Sequence, residues 1–119
     1  MKKTVSLKLN RDFRRLYYKG KCVACGYVVV YVKENRKDYN RLGLTCGKSV
    51  GKAVVRNRTK RLIRESYRIF EDRLKSGYDI VIVARARAAG KPLSAISKDV
   101  FYAFSKLDAV LKEEKNSIN

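Results

Sequence analysis

The chain has 119 residues, 29 of them Lys or Arg and 11 Asp or Glu, so its formal net charge is +18 at pH 7. This length indicates a single domain over residues 1–119, and a hydrophobic fraction of 45% excludes a disordered basic tail. So large a positive charge favours a polyanionic partner. No apolar segment approaches the ~20 residues that span a bilayer, and the N-terminus lacks the apolar stretch of a signal peptide. We therefore expect a cytoplasmic protein with no membrane partner.

The chain lacks the residues that a nuclease would need. It contains no histidine, the usual acid or base of metal-independent ribonucleases near neutral pH, and its carboxylates form no cluster suited to two-metal hydrolysis. Cys22 and Cys25 have the spacing of half a zinc site, but with only Cys46 besides them the usual four ligands cannot be assembled. We predict no catalytic residue and no metal site in the protein, and interpret the cysteines as small buried residues.

The N-terminal segment predicts a basic arm followed by a short helix. We expect residues 1–8 to be a loose arm. Phe13, Leu16 and Tyr17 then recur at the spacing of one helix face, and Gly20 provides the position at which this helix can end.

About four strands are predicted, of which the one over residues 27–32 is rich in β-branched and aromatic residues. The second of them is apolar on both faces, which indicates that each face is covered by helices or borders a groove. A last helix begins at Pro92, and residues 113–119 form a polar tail. The predicted strands are residues 21–25, 27–32, 41–46 and 78–84.

A long amphipathic helix ending near Lys75 is predicted before the last strand, and no acidic residue lies between Asp38 and Glu65. Its like charges at i, i+4 repel and lower the helix stability, which indicates a polyanion as the missing partner. The apolar stripe consists of Val55, Leu62, Ile63, Tyr67, Phe70 and Leu74. The opposite arc, about 140° wide, carries Arg56, Asn57, Lys60, Arg61, Arg64 and Arg68, and Arg58 flanks the stripe.

The start of this helix resembles a known motif. Arg56-Asn57-Arg58, followed by residues 60–64, is similar to the RNR motif of the bacterial ribonuclease P protein family, and the order of segments agrees over residues 7–112. The resemblance implies an α+β fold, a small two-layer α/β sandwich with a mixed sheet of about four strands, an N-terminal helix and a C-terminal helix. It also implies that the long helix lies in a left-handed β-α-β crossover, although the general rule favours a right-handed one.

The family resemblance further implies the protein subunit of a ribonucleoprotein that removes the 5′ leader of precursor tRNA. The RNA subunit would carry out hydrolysis with Mg²⁺ that it mainly holds itself, and we expect one protein per RNA. The residues expected to dock the catalytic RNA are Lys52, Arg58, Lys60, Arg61, Arg64 and Arg68. Those expected in a leader-binding cleft are Phe13, Tyr17, Arg56 and Asn57, with Val30 or Tyr31 on its floor.

The sequence leaves open which residue supplies the cleft aromatic group and whether the protein has another RNA-binding role. By spacing, the aromatic residue that the family's strand contributes to the cleft falls at Val30, and Tyr31 serves instead only if the strand turns its other face to the cleft. A structural rRNA-binding or ribosomal protein would share the basic helix without needing an aromatic cleft. A protein-only nuclease is disfavoured by the absence of histidine and by the scattered carboxylates.

Overall fold

The computed structural model describes residues 4–107, which form a five-stranded mixed sheet and three α-helices. The strands are β1 (Thr4–Ser6), β2 (Lys21–Ala24), β3 (Val28–Glu34), β4 (Asn40–Cys46) and β5 (Tyr78–Ala84). The helices are α1 (Asn10–Lys19), α2 (Ala53–Phe70) and α3 (Leu93–Lys106). None of these helices is long and apolar enough to cross a membrane.

The strands lie in the order β1-β4-β5-β3-β2. Strand β4 pairs in parallel with both β1 and β5, while β3 pairs antiparallel with β5 and β2. Helix α2 connects the parallel neighbours β4 and β5, so the predicted β-α-β unit is present. The α+β class with a mixed sheet is confirmed.

The main core lies between one face of the sheet and the helices α2 and α3. Val30 of β3 and Ile82 of β5 are fully buried there, next to Ile63 and Tyr67 of α2 and Phe104 of α3. The rings of Tyr67 and Phe104 meet edge to face at 6.1 Å between centroids. Alternation along β3 and β5 therefore directs every second residue toward these two helices.

The opposite face of the sheet is covered in part by α1. Leu16 of α1 packs there against Leu7 and Val81 in a second, smaller core, with Phe13 and Tyr31 at its border. The predicted two-layer arrangement is therefore incomplete, because α1 adds a partial third layer. This helix is short and marginal by itself, so its position depends on these contacts.

The number of strands also differs from the prediction. Residues 1–8 were expected to be a loose arm, but Thr4–Ser6 form β1 and lengthen the sheet to five strands. The Leu7 amide donates to the carbonyl of Leu42 at 2.9 Å, and the Thr4 hydroxyl bonds to the Tyr67 hydroxyl at 2.8 Å. Residues 1–3 and the predicted tail 113–119 lie outside the described residues.

Helix α2 ends earlier than the periodic pattern suggested. The α-helix stops at Phe70, and a 3₁₀ turn over Glu71–Arg73 brings Leu74 into the core with 3% of its surface exposed. Leu74 therefore joins the apolar stripe although residues 71–74 are not α-helical.

Candidate nucleic-acid interface

Helix α2 presents a continuous cationic surface on the side away from the core. Thr59 and Ser66 lie on the buried side, where their hydroxyls donate to the carbonyls of Val55 and Leu62, four residues earlier. The exposed surface carries the residues predicted to dock RNA, of which Lys60 is half-buried: Lys52, Arg58, Lys60, Arg61, Arg64 and Arg68. The amphipathic prediction is confirmed for this helix.

Most of these cations have no acidic neighbour. Arg68 forms an ion pair with Glu65 at 3.1 Å, and both side chains are about half exposed. Within residues 4–107, no carboxylate lies within ion-pair distance of the other five predicted docking residues. Their positive charges are therefore not neutralised by direct ion pairs, which suits a polyanionic ligand.

An aromatic cleft borders α1 on the other face of the sheet. Tyr17 of α1 contacts Tyr31 of β3 edge to face, with ring centroids 4.9 Å apart, and its hydroxyl shares a 3.2 Å hydrogen bond with that of Thr45 of β4. Phe13, one helical turn earlier, lies 6.4 Å from Tyr17 between centroids. A cavity of about 340 Å³ here is lined by Asn10, Phe13, Arg14, Tyr17 and Thr45.

The direction in which the side chains of β3 point decides whether Val30 or Tyr31 faces the cleft. Val30 has no exposed surface and faces α2 and α3, so the prediction that it could line the cleft is wrong. Tyr31 points to the face covered by α1 and contacts Tyr17. Of the two candidates, Tyr31 is therefore the one that lies on the same face of the sheet as the cleft.

Arg56 and Asn57 do not lie among the aromatic residues. They belong to α2, on the opposite face of the sheet from α1, and neither lines the cleft cavity. Arg56 donates to the Gly51 carbonyl at 3.2 Å and lies near Cys46 at the end of β4. The predicted cleft set is thus divided between the two faces, and β4 separates them.

Sequence reasoning missed three residues that line the cavity, namely Asn10, Arg14 and Thr45. Asn10 and Arg14 lie three residues before Phe13 and Tyr17 on α1, so they share one side of the helix with these rings. Gly43 of β4 is paired with Val81 and therefore lies on the sheet face that α1 covers. Thr45 lies two residues further along β4, so its side chain faces the same side. These periodicities would have identified all three once the faces were known.

Three charged side chains fix α1 against the sheet. Arg41 of β4 bonds to Asp79 of β5 through two hydrogen bonds and approaches Asp12 of α1 at 3.5 Å. Both carboxylates are buried. The hydrogen bond to Asp79 is the main cause that raises the pKa of Arg41 above its ordinary value. This network holds α1, and with it the cleft, in a fixed position.

The cysteines are less buried than predicted. Cys22 is exposed on the edge strand β2 opposite Tyr31, while Cys25 and Cys46 are half-buried. Burial is the main cause that raises the pKa of Tyr31, and the neighbouring Cys22 thiol adds to it. The Cys25 thiol instead contacts the Asp99 carbonyl of α3 at 3.6 Å. Among residues 4–107 no three Cys, Asp or Glu side chains are grouped so that they could hold a metal ion.

Comparison with known proteins assigns a family to this architecture. A family model described as Ribonuclease P matches residues 1–108. The chain is 46% identical over 112 residues to a ribonuclease P protein component of Clostridium acetobutylicum, with 92% of this chain and 94% of that protein covered.

Two solved structures agree with this assignment. The RNase P protein of Staphylococcus aureus superposes with a TM-score of 0.78 at 34% identity, covering 85% of this chain and 93% of that one. The RNase P protein of Thermotoga maritima gives a TM-score of 0.74 at 31% identity, covering 82% and 92%. The shared fold therefore covers more than four fifths of this chain and more than nine tenths of each of the two solved proteins.

Proposed function

Because the chain belongs to the ribonuclease P protein family and has the role of that enzyme's protein subunit in tRNA processing, we propose that it binds two RNAs at once. The catalytic RNA docks on the cationic surface of α2, and the 5′ leader of precursor tRNA lies in the cleft beside α1. The two surfaces lie on opposite faces of the sheet. One α2 surface and one cleft per chain support a complex of one protein with one catalytic RNA.

The observation that carries this proposal is the row of unneutralised cations on α2. Arg58, Arg61 and Arg64 are exposed on a rigid helix, and within the described chain no carboxylate neutralises them. A guanidinium group can form two parallel hydrogen bonds with one phosphate. Arginines held in fixed positions therefore orient a folded RNA as well as attract it. This surface recognises the shape and charge of the RNA backbone and does not depend on base identity.

The cleft suits a single strand of variable sequence. Phe13, Tyr17 and Tyr31 offer aromatic surface, and Arg14 at the cleft wall supplies a charge for phosphate. Stacking on an aromatic ring tolerates every base, since each base has a π-face. Leaders differ between tRNAs, so this kind of contact matches the substrate that the subunit serves.

We assign hydrolysis to the RNA subunit and give the protein a binding role. The chain has no histidine, and the buried carboxylates Asp12 and Asp79 are both engaged by Arg41. A carboxylate already balanced by a guanidinium is a poor ligand for Mg²⁺, so these two side chains do not fit a resident magnesium ion, and no other described carboxylates are grouped to hold one. The Mg²⁺ required for cleavage is expected on RNA oxygens, and the cations of α2 reduce repulsion between the two RNAs.

Reconstitution tests this function. Precursor tRNA is incubated at low Mg²⁺ with a bacterial ribonuclease P RNA alone, with the protein alone and with both. Correct 5′ cleavage only in the complete mixture is the expected result. Binding of the protein to RNA without any change in cleavage would contradict the proposal and would favour a purely structural RNA-binding role.

A further inference from the structure

The outward-facing side of α1 carries a second cationic and aromatic surface, which we call the α1 ridge. Tyr18 is 88% exposed at its centre, the largest exposure of any large hydrophobic side chain among residues 4–107. A shallow cavity of about 570 Å³ runs along this side of the helix. It is lined by Arg11, Arg14, Arg15, Tyr17, Tyr18 and Lys19.

The charge of the α1 ridge has one sign. Asp12 is the single acidic residue of α1, and it is buried on the inner side, where Arg41 engages it. Arg15 reaches only the edge of this carboxylate, at 4.0 Å, and its side chain stays 57% exposed. Arg11 and Arg14 form no ion pair with any described carboxylate. The ridge therefore attracts an anion independently of α2.

The α1 ridge is continuous with the aromatic cleft. Arg14 and Tyr17 line both cavities. Counted at about 100° per residue from the buried Leu16, the side chains follow one another around the helix: Phe13, Tyr17, Arg14 and Tyr18 at about 60°, 100°, 160° and 200°. Along this path from the floor of the cleft to the outer surface, Arg14 therefore lies between the rings of Tyr17 and Tyr18.

We propose that the α1 ridge binds the distal part of the 5′ leader, after the strand has left the cleft. Tyr18 stacks on a base, and Arg11 and Arg14 contact phosphates. An exposed aromatic ring between arginines is the arrangement that binds single-stranded nucleic acid with little sequence preference. The inference rests on the proposed function, because a strand must first occupy the cleft.

The length of this path determines how many nucleotides a leader needs to cross the ridge. A helix with its side chains is about 10–12 Å across, so the arc of about 140° from Phe13 to Tyr18 is roughly 12–15 Å long. At a rise of about 3.4 Å per nucleotide along a stacked strand, this distance takes about four nucleotides. A leader of about three nucleotides is shorter than this path, and one of about ten nucleotides exceeds it.

The experiment measures the affinity of the reconstituted holoenzyme for two precursor tRNAs that differ only in these leader lengths. Tyr18→Ala is expected to weaken binding of the long-leader precursor about 5-fold or more and to leave the short-leader precursor unchanged. Tyr18→Phe keeps the ring and should behave as the wild type. Tyr102→Ala removes an exposed tyrosine from α3, on the other side of the sheet, and serves as the matched control.

The electrostatic part is tested through salt dependence. Arg11→Gln should lower the salt slope of long-leader binding by about 0.7, the value for one phosphate contact with a single strand, and should not change the slope for the short leader. Lys98→Gln removes one exposed positive charge from α3 and should change neither slope.

The outcomes separate this inference from the function on which it rests. Equal effects of Tyr18→Ala on both leaders, or no effect on either, overturn the inference while cleavage by the wild type leaves the function intact. Weaker binding of Tyr18→Ala to the catalytic RNA without precursor also overturns it and assigns the ridge to the RNA subunit. A wild-type protein that gives no cleavage with either leader contradicts the proposed function itself.

Discussion

The ring of Phe13 lies directly over Gly43 of β4. A Cβ atom placed on Gly43 would be 2.5 Å from Cζ and 2.7 Å from Cε1 of that ring. Gly43 is buried, so the close approach of ring to backbone exists because this position has no side chain. The shape of the cleft floor therefore depends on the missing Cβ atom of Gly43 as well as on the aromatic side chains.

Gly43→Ala should disturb the cleft. Because the added methyl group occupies the space of the Phe13 ring, we expect a loss of about 1–3 kcal/mol in the free energy of unfolding, together with weaker binding of precursor tRNA. Urea denaturation measures the first effect and holoenzyme binding the second. Gly47→Ala is the control, since nothing lies within 4 Å of a Cβ there and its φ of −81° accepts alanine. Equal effects of both substitutions would contradict this explanation.

Removal of Arg41 from its ion pair with Asp79 should destabilise the fold far more than loss of an exposed pair does. Arg41→Ala leaves two buried carboxylates without their counter-charge, so we expect a loss of about 3 kcal/mol or more in the free energy of unfolding. Arg68→Ala breaks the exposed pair with Glu65 and should cost at most about 1 kcal/mol. Chemical denaturation of both variants at neutral pH makes the comparison, and similar losses would contradict the assigned role of Arg41.

Tyr67 should make the fold sensitive to alkaline pH. Burial is the main cause that raises its pKa above the ordinary value near 10. The unfolded chain therefore loses this proton first, and the stability that is fully present below pH 10 falls as the pH rises through the folded pKa. The expected slope is up to about 1.4 kcal/mol per pH unit.

Tyr67→Phe isolates this effect. The variant lacks the hydrogen bond to Thr4 and should be less stable by about 1 kcal/mol at neutral pH, but it should lose less stability than the wild type above pH 10. The half-buried thiols of Cys25 and Cys46 titrate in both proteins, so their contribution cancels in the difference. Parallel pH profiles for the two proteins would show that the tyrosine proton is not the cause.

The α2 surface should show a graded dependence on salt. Arg61→Gln should lower the slope of log affinity against log salt, for the isolated catalytic RNA, by about 0.7–0.9. Arg68→Gln should lower it less, because Glu65 already neutralises part of that charge. Titrations between about 50 and 200 mM salt measure the slopes, with Lys98→Gln as the control. An equal change for all three variants would indicate unspecific charge attraction.

The sequence predicted the elements whose pattern is local. The apolar period of α2 identified both its buried stripe and its cationic surface, since a helix fixes the direction of each side chain relative to its neighbours three and four residues away. The strands β3 and β5 were recognisable from their β-branched residues. Only the C-terminal end of α2 differed, because a 3₁₀ turn delivers Leu74 to the core.

The features that depend on distant contacts were missed. Strand β1 is three residues long and exists only because it pairs with β4, some 36 positions later in the chain. The face of β3 that borders the cleft was undecidable, since Val30 and Tyr31 are both apolar enough for either side. Thr45 and Gly43 became recognisable only when α1 was placed over β4.

One double comparison tests whether the two RNA-binding surfaces act separately. The affinity for the catalytic RNA and the preference of the holoenzyme for precursor over mature tRNA are measured for Arg61→Gln and for Phe13→Ala. Arg61→Gln is expected to weaken only the first, and Phe13→Ala to reduce only the second, by about 5-fold or more. A parallel loss of both properties in both variants would contradict the account.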